Sequence, residues 1–376
     1  MKTPLAWLNL WHEKGRTAVA LAGTSFAVIL VLMQLGFLGS VMGTARILYG
    51  RLDFDLVITS IRYRQMLKTG TFDRARLTAS AAVPEVAAAL PLDVALHLYR
   101  NPETGMKRSM LVVGVDARRR YLDFATSEQL ATVQLPERVL LDELSRKEYG
   151  PRHIGLRSEI GDVEVEVTGL FRLGCGFGAD GTVVTSEETF AKLFAPRTID
   201  DLSLGLIQLR AGVDPQQALQ AVRAALPDDV VVQTRDDFIA QEEYYWTIKT
   251  SVGVIFGIGV VVALLVGTAI VYQVLAADIA KRMPEYATLK AMGYSGGYLS
   301  SVIMTQAAVI GAIGFIPGWL VSIGLYDLTR VQANIQMEMG IVMPCVVFVL
   351  SILMCCISGL ASLRKVHSVA PAELFT

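Results

Sequence analysis

Four stretches of this chain contain no Asp, Glu, Lys, Arg or His: Thr17–Gly39, Ser251–Ala277, Leu299–Leu325 and Ile341–Leu363. Each is long enough to cross the ~30 Å hydrocarbon layer of a bilayer as a helix. A segment in lipid must satisfy its backbone N–H and C=O groups internally, and the helix does so within a single run. The chain is therefore read as a membrane protein, α-helical with four transmembrane helices. Composition agrees, with 53% hydrophobic and 18% charged residues and a mean hydropathy of +0.46. Soluble domains hold about 25% charged residues. The first run could be mistaken for a signal peptide, with Gly43-Thr44-Ala45 as a weak cleavage site. Signal-peptide apolar cores run about 7–15 residues, so this longer run is read as an uncleaved span.

Between the first two runs lies material of a different kind. Residues 40–250 hold most of the charge and read as a mixed α/β domain with stalk helices at both ends. Strand-like runs fall at Phe54–Thr59, Val94–Tyr99, Ser109–Val115, Asp162–Thr168, Gly181–Thr185 and Leu204–Leu209. Asn101-Pro-Glu-Thr-Gly105 reads as a hairpin-type turn. Helical patches are expected at Pro136–Glu148, Glu187–Phe194 and Asp214–Leu226, the last starting at Asp-Pro and ending before Pro227. A helix from about Asp236 is expected to run without a break into the second span, with Tyr244, Tyr245 and Trp246 as an interfacial aromatic belt.

Orientation follows from positive charge in the short loops. Residues 1–16, an expected amphipathic surface helix, carry Lys2, Lys14 and Arg16. Loop 278–298 carries Lys281, Arg282 and Lys290, and tail 364–376 carries Arg364 and Lys365. Connector 326–340 has Arg330 beside Asp327 and Glu338. Both termini and loop 278–298 are thus expected in the cytoplasm, and domain 40–250 outside it. The net charge of −1 gives no reason to expect nucleic acid as a partner.

Loop 278–298 is the most informative polar segment. Pro284 sits where the first turn of a helix tolerates proline, and Gly293 where a helix ends. Glu285–Met292 then reads as a two-turn helix pinned at both ends by spans, suited to transmitting force to a soluble partner. Glycines recur four apart in and beside the spans: Gly39/Gly43, Gly253/Gly257 and Gly314/Gly318. Such spacing lets helices approach closely, within one chain or between two copies.

Several chemistries are excluded. The charge-free spans lack the ionisable relay of an ion-coupled transporter. Gly293-Tyr-Ser-Gly-Gly297 matches a serine-nucleophile pattern, but none of His12, His97, His153 and His367 falls in a span to act as base. Gly174–Gly181 is glycine-rich, yet no Gly-Lys pair follows it or occurs anywhere, so it is read as a hairpin loop rather than a phosphate loop. No metal-ligand cluster is legible. Cys175 stands alone outside the last apolar run and has no disulfide partner within the domain.

The segment Met283-Pro-Glu-Tyr-Ala-Thr-Leu-Lys-Ala-Met-Gly293 resembles the E-x-A-x-L-[KR]-A-x-G coupling segment of FtsX/MacB-type permeases of ABC transporters. The N-terminal Leu5–Lys14 region and Phe171-Arg-Leu-Gly174 with Ala179-Asp-Gly181 are similar to the DevC-like branch. The resemblance implies a non-catalytic inner-membrane subunit, a homodimer, whose periplasmic domain is inserted between helices 1 and 2. It implies that Met283, Glu285, Tyr286, Leu289, Lys290, Met292 and Gly293 couple to an ABC ATPase, and that ATP and Mg are bound by that partner rather than by this chain. A periplasmic membrane-fusion adaptor and, through it, a TolC-like outer-membrane channel are the further partners implied. Gly253, Gly257, Gly314 and Gly318 are the expected packing or dimer positions. The implied task is export of a lipid-like or other hydrophobic substrate. Transmembrane signalling to periplasmic hydrolases and lipoprotein release are the alternatives.

Overall fold

A computed structural model describes residues 14–176, 178–285, 288, 292, 296–333 and 337–367. Of the expected surface helix over residues 1–16, all but Lys14–Arg16 lies outside the described residues, and so does the tail from residue 368. The chain divides into a helical unit (Met1–Gly39, Gly253–Gln332, Met337–Thr376) and a head unit (Ser40–Val252, Ala333–Gln336).

The head is organised on one long strand. Its strands are β1 (Leu56–Ser60), β2 (Phe72–Asp73), β3 (Val86–Arg100), β4 (Lys107–Val115), β5 (Arg138–Asp142), β6 (Arg157–Ile160), β7 (Val163–Phe171), β8 (Thr182–Ser186), β9 (Asp201–Leu202), β10 (Leu204–Leu209) and β11 (Val230–Thr234). The nine-stranded sheet has the order β11-β1-β10-β3-β4-β8-β5-β7-β6. The first half of β3 pairs with β10 (Leu90↔Leu206), and its second half pairs with β4 (Leu96↔Leu111). Strand β6 then returns to the far end of β3 through Tyr99↔Ile160 and Arg100↔Glu159. Strands β3 to β8 thereby close on themselves, and closure removes edges that would otherwise expose unpaired backbone groups.

Alternation along each strand splits the apolar residues between cores. On β4, Leu111, Val113 and Val115 enter one cluster and Met110 and Val112 another, as successive side chains on a strand must. Short helices cover these cores: α2 (Arg74–Ala81), α3 (Ser127–Thr132), α4 (Glu187–Leu193) and α5 (Pro215–Ala225), in chain order after the long α1 (Lys14–Tyr49). Their starts are set by local chemistry. Asp73, Ser186 and Asp214 each accept a backbone N–H one turn in, and Thr126 with Gln129 forms a capping box. The β3–β4 hairpin turn forms as expected: Gly105, at φ +70°, donates its N–H to the Asn101 carbonyl at 2.8 Å.

Three local expectations are corrected. The helix read over Pro136–Glu148 is instead β5, lying between β7 and β8. Val139-Leu140-Leu141 is a short apolar run buried on both faces, and periodicity cannot separate such a strand from a buried helix. The Gly174–Gly181 loop joins β7 to β8, which lie on either side of β5, so it is a crossover and not a hairpin. The helix expected to run unbroken from Asp236 into the second span is interrupted. Helix α6 (Arg235–Tyr244) passes into a π-helical turn at Tyr245–Lys249, and Thr250 is extended at φ −95°, ψ 146° before α7 (Ser251–Lys281) begins. Thr247 Oγ1 donates to the Glu243 carbonyl at 2.7 Å, and Thr250 Oγ1 donates to the Trp246 carbonyl at 2.5 Å. Such back-bonding competes with the helix ladder and bends it.

The ends of α1 and α6 that lie in the head share one buried node. Tyr49 packs edge-on against Phe238 at 4.9 Å. Glu242, fully buried, accepts from Tyr63 Oη at 2.7 Å and from the Met66 N–H at 3.2 Å, and Tyr49 Oη lies 3.3 Å from Tyr63 Oη. Arg46 pairs with Glu243 beside it.

The helical unit holds α1 to Gly39, most of α7, then α8 (Gly296–Ala333) and α9 (Val342–His367). Among the described residues these four helices are long and apolar enough to cross a membrane. Helix α8 runs over Pro317 and continues to Ala333, so about half of the connector expected at 326–340 is helical.

Candidate coupling site and helix packing

The polar loop leaves α7 through a buried charge cluster that sits inside the helical unit. Asp278, Arg282 and Gln306 are 6%, 7% and 5% exposed. Arg282 Nε donates to Asp278 Oδ1 at 3.1 Å, and Gln306 Nε2, from α8, donates to Asp278 Oδ2 at 3.1 Å. Both carboxylate oxygens are thus engaged, and Arg282 also lies 3.9 Å from the exposed Glu285. A buried carboxylate is tolerable only with such partners. The consequence is mechanical: the start of the loop is tied to two different helices at once. Arg16 of α1 adds a third tie, its Nη1 donating to the Ala277 carbonyl at 3.4 Å.

Beyond the cluster the chain turns helically. Met283–Glu285 are helical, Thr288 Oγ1 donates to the Pro284 carbonyl at 2.9 Å, and the Met292 N–H donates to the Thr288 carbonyl at 3.0 Å. Met292 is 64% exposed, Glu285 is exposed, and Met283 is half-buried. The other expected coupling residues, Tyr286, Leu289, Lys290 and Gly293, lie outside the described residues. An exposed Met is an adaptable apolar contact, and a neighbouring carboxylate can fix register against a partner.

The glycines of the long apolar helices occupy unlike surroundings. A Cβ at Gly314 would fall 2.8 Å from Thr24 Cβ, and one at Gly318 would fall 2.8 Å from the Ser25 carbonyl oxygen, so both mark where α8 meets α1. Ser25 Oγ donates to the Gly314 carbonyl at 2.8 Å across that contact. Gly311 serves α9 similarly: its carbonyl accepts from Ser351 Oγ at 2.9 Å. Small residues at such crossings let backbones come close enough for these hydrogen bonds. Gly253 is buried, whereas a Cβ at Gly257 would meet nothing within 4 Å.

Sequence reasoning passed over Asp278 and Gln306. The Asp278–Arg282 pair sits at helical i, i+4 spacing and was legible. Gln306 was not, because its partner lies on another helix. Among the described residues no group of three or more His, Cys, Asp or Glu could hold a metal ion.

Residues 257–371, which include the loop and both following helices, match the family described as FtsX-like permease C-terminal. No curated protein matches the chain by sequence. Among solved structures, the chain is similar to the periplasmic region of MacB from Actinobacillus actinomycetemcomitans, with 10% identity over 54% of this chain and 97% of that one and a TM-score of 0.38. It is also similar to the extracellular domain of the noncanonic ABC-type transporter YknZ from Gram-positive bacteria, with 12% identity over 48% and 98% and a TM-score of 0.34.

Proposed function

We propose that this chain is the permease subunit of an ATP-driven ABC-type export system, anchored in the inner membrane with its head in the periplasm and both termini in the cytoplasm. The observation that carries the reading is the tethered loop, lying within the segment that matches the FtsX-like permease family. Asp278 holds the base of the loop against Arg282 and Gln306. Met292 and Glu285 remain exposed beyond it. Docking of a separate ATPase on this loop, through Met283, Glu285, Tyr286, Leu289, Lys290, Met292 and Gly293, passes motion to the bundle and not merely to a free tether. ATP and Mg belong to that partner, and this chain is non-catalytic.

In the same reading two copies form a homodimer, and the head engages a periplasmic adaptor that leads to a TolC-like channel. The cargo is lipid-like, in keeping with the DevC-like residues of the N-terminal and loop segments. The charge-free spans favour force transmission over passage of a charged solute between them. The test is co-purification with the ATPase subunit. Leu289→Asp plus Met292→Asp places two charges in the docking face and should abolish it; retention of the ATPase by that variant would remove the loop from the interface.

A further inference from the structure

Among the described residues of the helical unit is a cavity of about 730 Å³, within the size range of small-molecule sites. It lies between α8 and α9 near the connector. Its walls are apolar and aromatic: Phe315 stacks on Trp319 at 6.2 Å and meets Phe348 edge-on at 5.2 Å, and Ile323 and Val349 complete the flank. One feature is unlike a plain lipid-facing groove. At the connector end the lining carries two opposite charges, Asp327 and Arg330, whose side chains are 68% and 54% exposed and lie 4.0 Å apart. Arg330 Nη2 donates to the Met337 carbonyl at 2.7 Å, which uses one of the five donors of a guanidinium.

We infer that this cavity holds one bilayer phospholipid with a primary-amine headgroup, a phosphatidylethanolamine. The argument is complementarity at two levels. The apolar walls accept an acyl chain, and the paired charges meet a zwitterion. Arg330 takes the phosphate and Asp327 takes the ammonium. An anionic lipid such as phosphatidylglycerol satisfies Arg330 and leaves Asp327 facing a phosphate of like sign. A choline headgroup brings no N–H to Asp327. The inference rests on the reading of α8 and α9 as membrane-spanning, and it makes the lipid a resident ligand of one chain, separate from any cargo.

The experiment is native mass spectrometry of the full-length protein in detergent, with phosphatidylethanolamine or phosphatidylglycerol added singly and in equal mixture. Wild-type protein should retain one phosphatidylethanolamine in preference to phosphatidylglycerol by roughly threefold, the scale of one exposed ion pair. Asp327→Asn should erase or reverse that preference while lipid is still bound. Val349→Trp, which fills the cavity from its rim, should remove the retained lipid in protein with unchanged elution on size exclusion. Equal retention of the two lipids by wild type, or an Asp327→Asn preference identical to wild type, overturns the proposal. Membrane association that resists carbonate extraction is scored separately, so failure of the lipid site and failure of the membrane reading give different results.

Discussion

Tyr63 donates its hydroxyl proton to Glu242 at 2.7 Å, and through that bond the ends of α1 and α6 share one buried carboxylate node in the head. Burial raises the Glu242 carboxyl above its ordinary range, against the opposing effect of the Tyr63 and Met66 hydrogen bonds. A folded-state pKa above the unfolded one makes the native state hold its proton longer. The stability this group contributes is therefore complete below the unfolded pKa and is lost as pH rises toward the folded one. Glu242→Gln should flatten the fall in melting temperature on going from about pH 4 to about pH 7, the interval above the ordinary Glu value. Asp93, Asp142 and Glu187 are also raised, mainly by burial, so only the difference between wild type and variant reports on Glu242.

The cluster at the base of the loop yields a double-mutant cycle. Asp278→Asn leaves the buried Arg282 without its carboxylate and should destabilise the protein by about 3 kcal/mol or more. Gln306→Leu removes one charge-assisted hydrogen bond and should cost about 1.5–3 kcal/mol. Adding Arg282→Gln to Asp278→Asn should recover part of the loss, because no unpaired charge remains buried. Thermal unfolding of the detergent-solubilised full chain measures all of these. Strict additivity of the Asp278 and Arg282 effects would contradict the pairing.

Glycine positions separate into two kinds. Gly314→Val forces a side chain into Thr24 and should cost about 1–3 kcal/mol by overpacking. Gly257→Ala meets nothing in its own chain and should be neutral or stabilising by up to ~1 kcal/mol, the helix-propensity gain. Melting temperatures of the two variants check this. A loss at Gly257→Ala that appears only at concentrations where the protein dimerises would place that residue in the contact between copies.

Cys175 should be chemically silent. Its thiol is buried, its one S–H lies within reach of the Asp180 carbonyl at 2.8 Å and the Leu144 carbonyl at 3.1 Å, and burial, with Asp142 and Asp180 nearby, pushes its pKa up to about 12. Little thiolate exists near neutral pH, so maleimide labelling read by peptide mass spectrometry should spare Cys175 until the protein is unfolded.

How much of this was legible in the sequence follows the range of each interaction. The long apolar helices were legible because charge is excluded from whole windows, and the Asp214-Pro start of α5 because capping is local. The β3–β6 pairing that closes the head joins Tyr99 to Ile160, and no local pattern encodes so distant a partner. The strand β5 was misread because a short apolar run buried on both faces loses its alternation. The break before α7 turns on threonine hydroxyls bonding back one turn, which composition reads as ordinary helix. At the loop, the tie from Gln306 to Asp278 required knowing that α7 and α8 lie side by side.

Sided cysteine labelling tests the central claim most directly. In a chain whose native cysteines are replaced, Met106→Cys sits beside the β3–β4 turn and Met292→Cys in the loop, where the native residues are 58% and 64% exposed. A membrane-impermeant maleimide applied to spheroplasts should label the cysteine at position 106 at once, and the one at position 292 only after lysis. The reverse order, or labelling of both before lysis, would contradict the account of an outward head driven from a cytoplasmic loop.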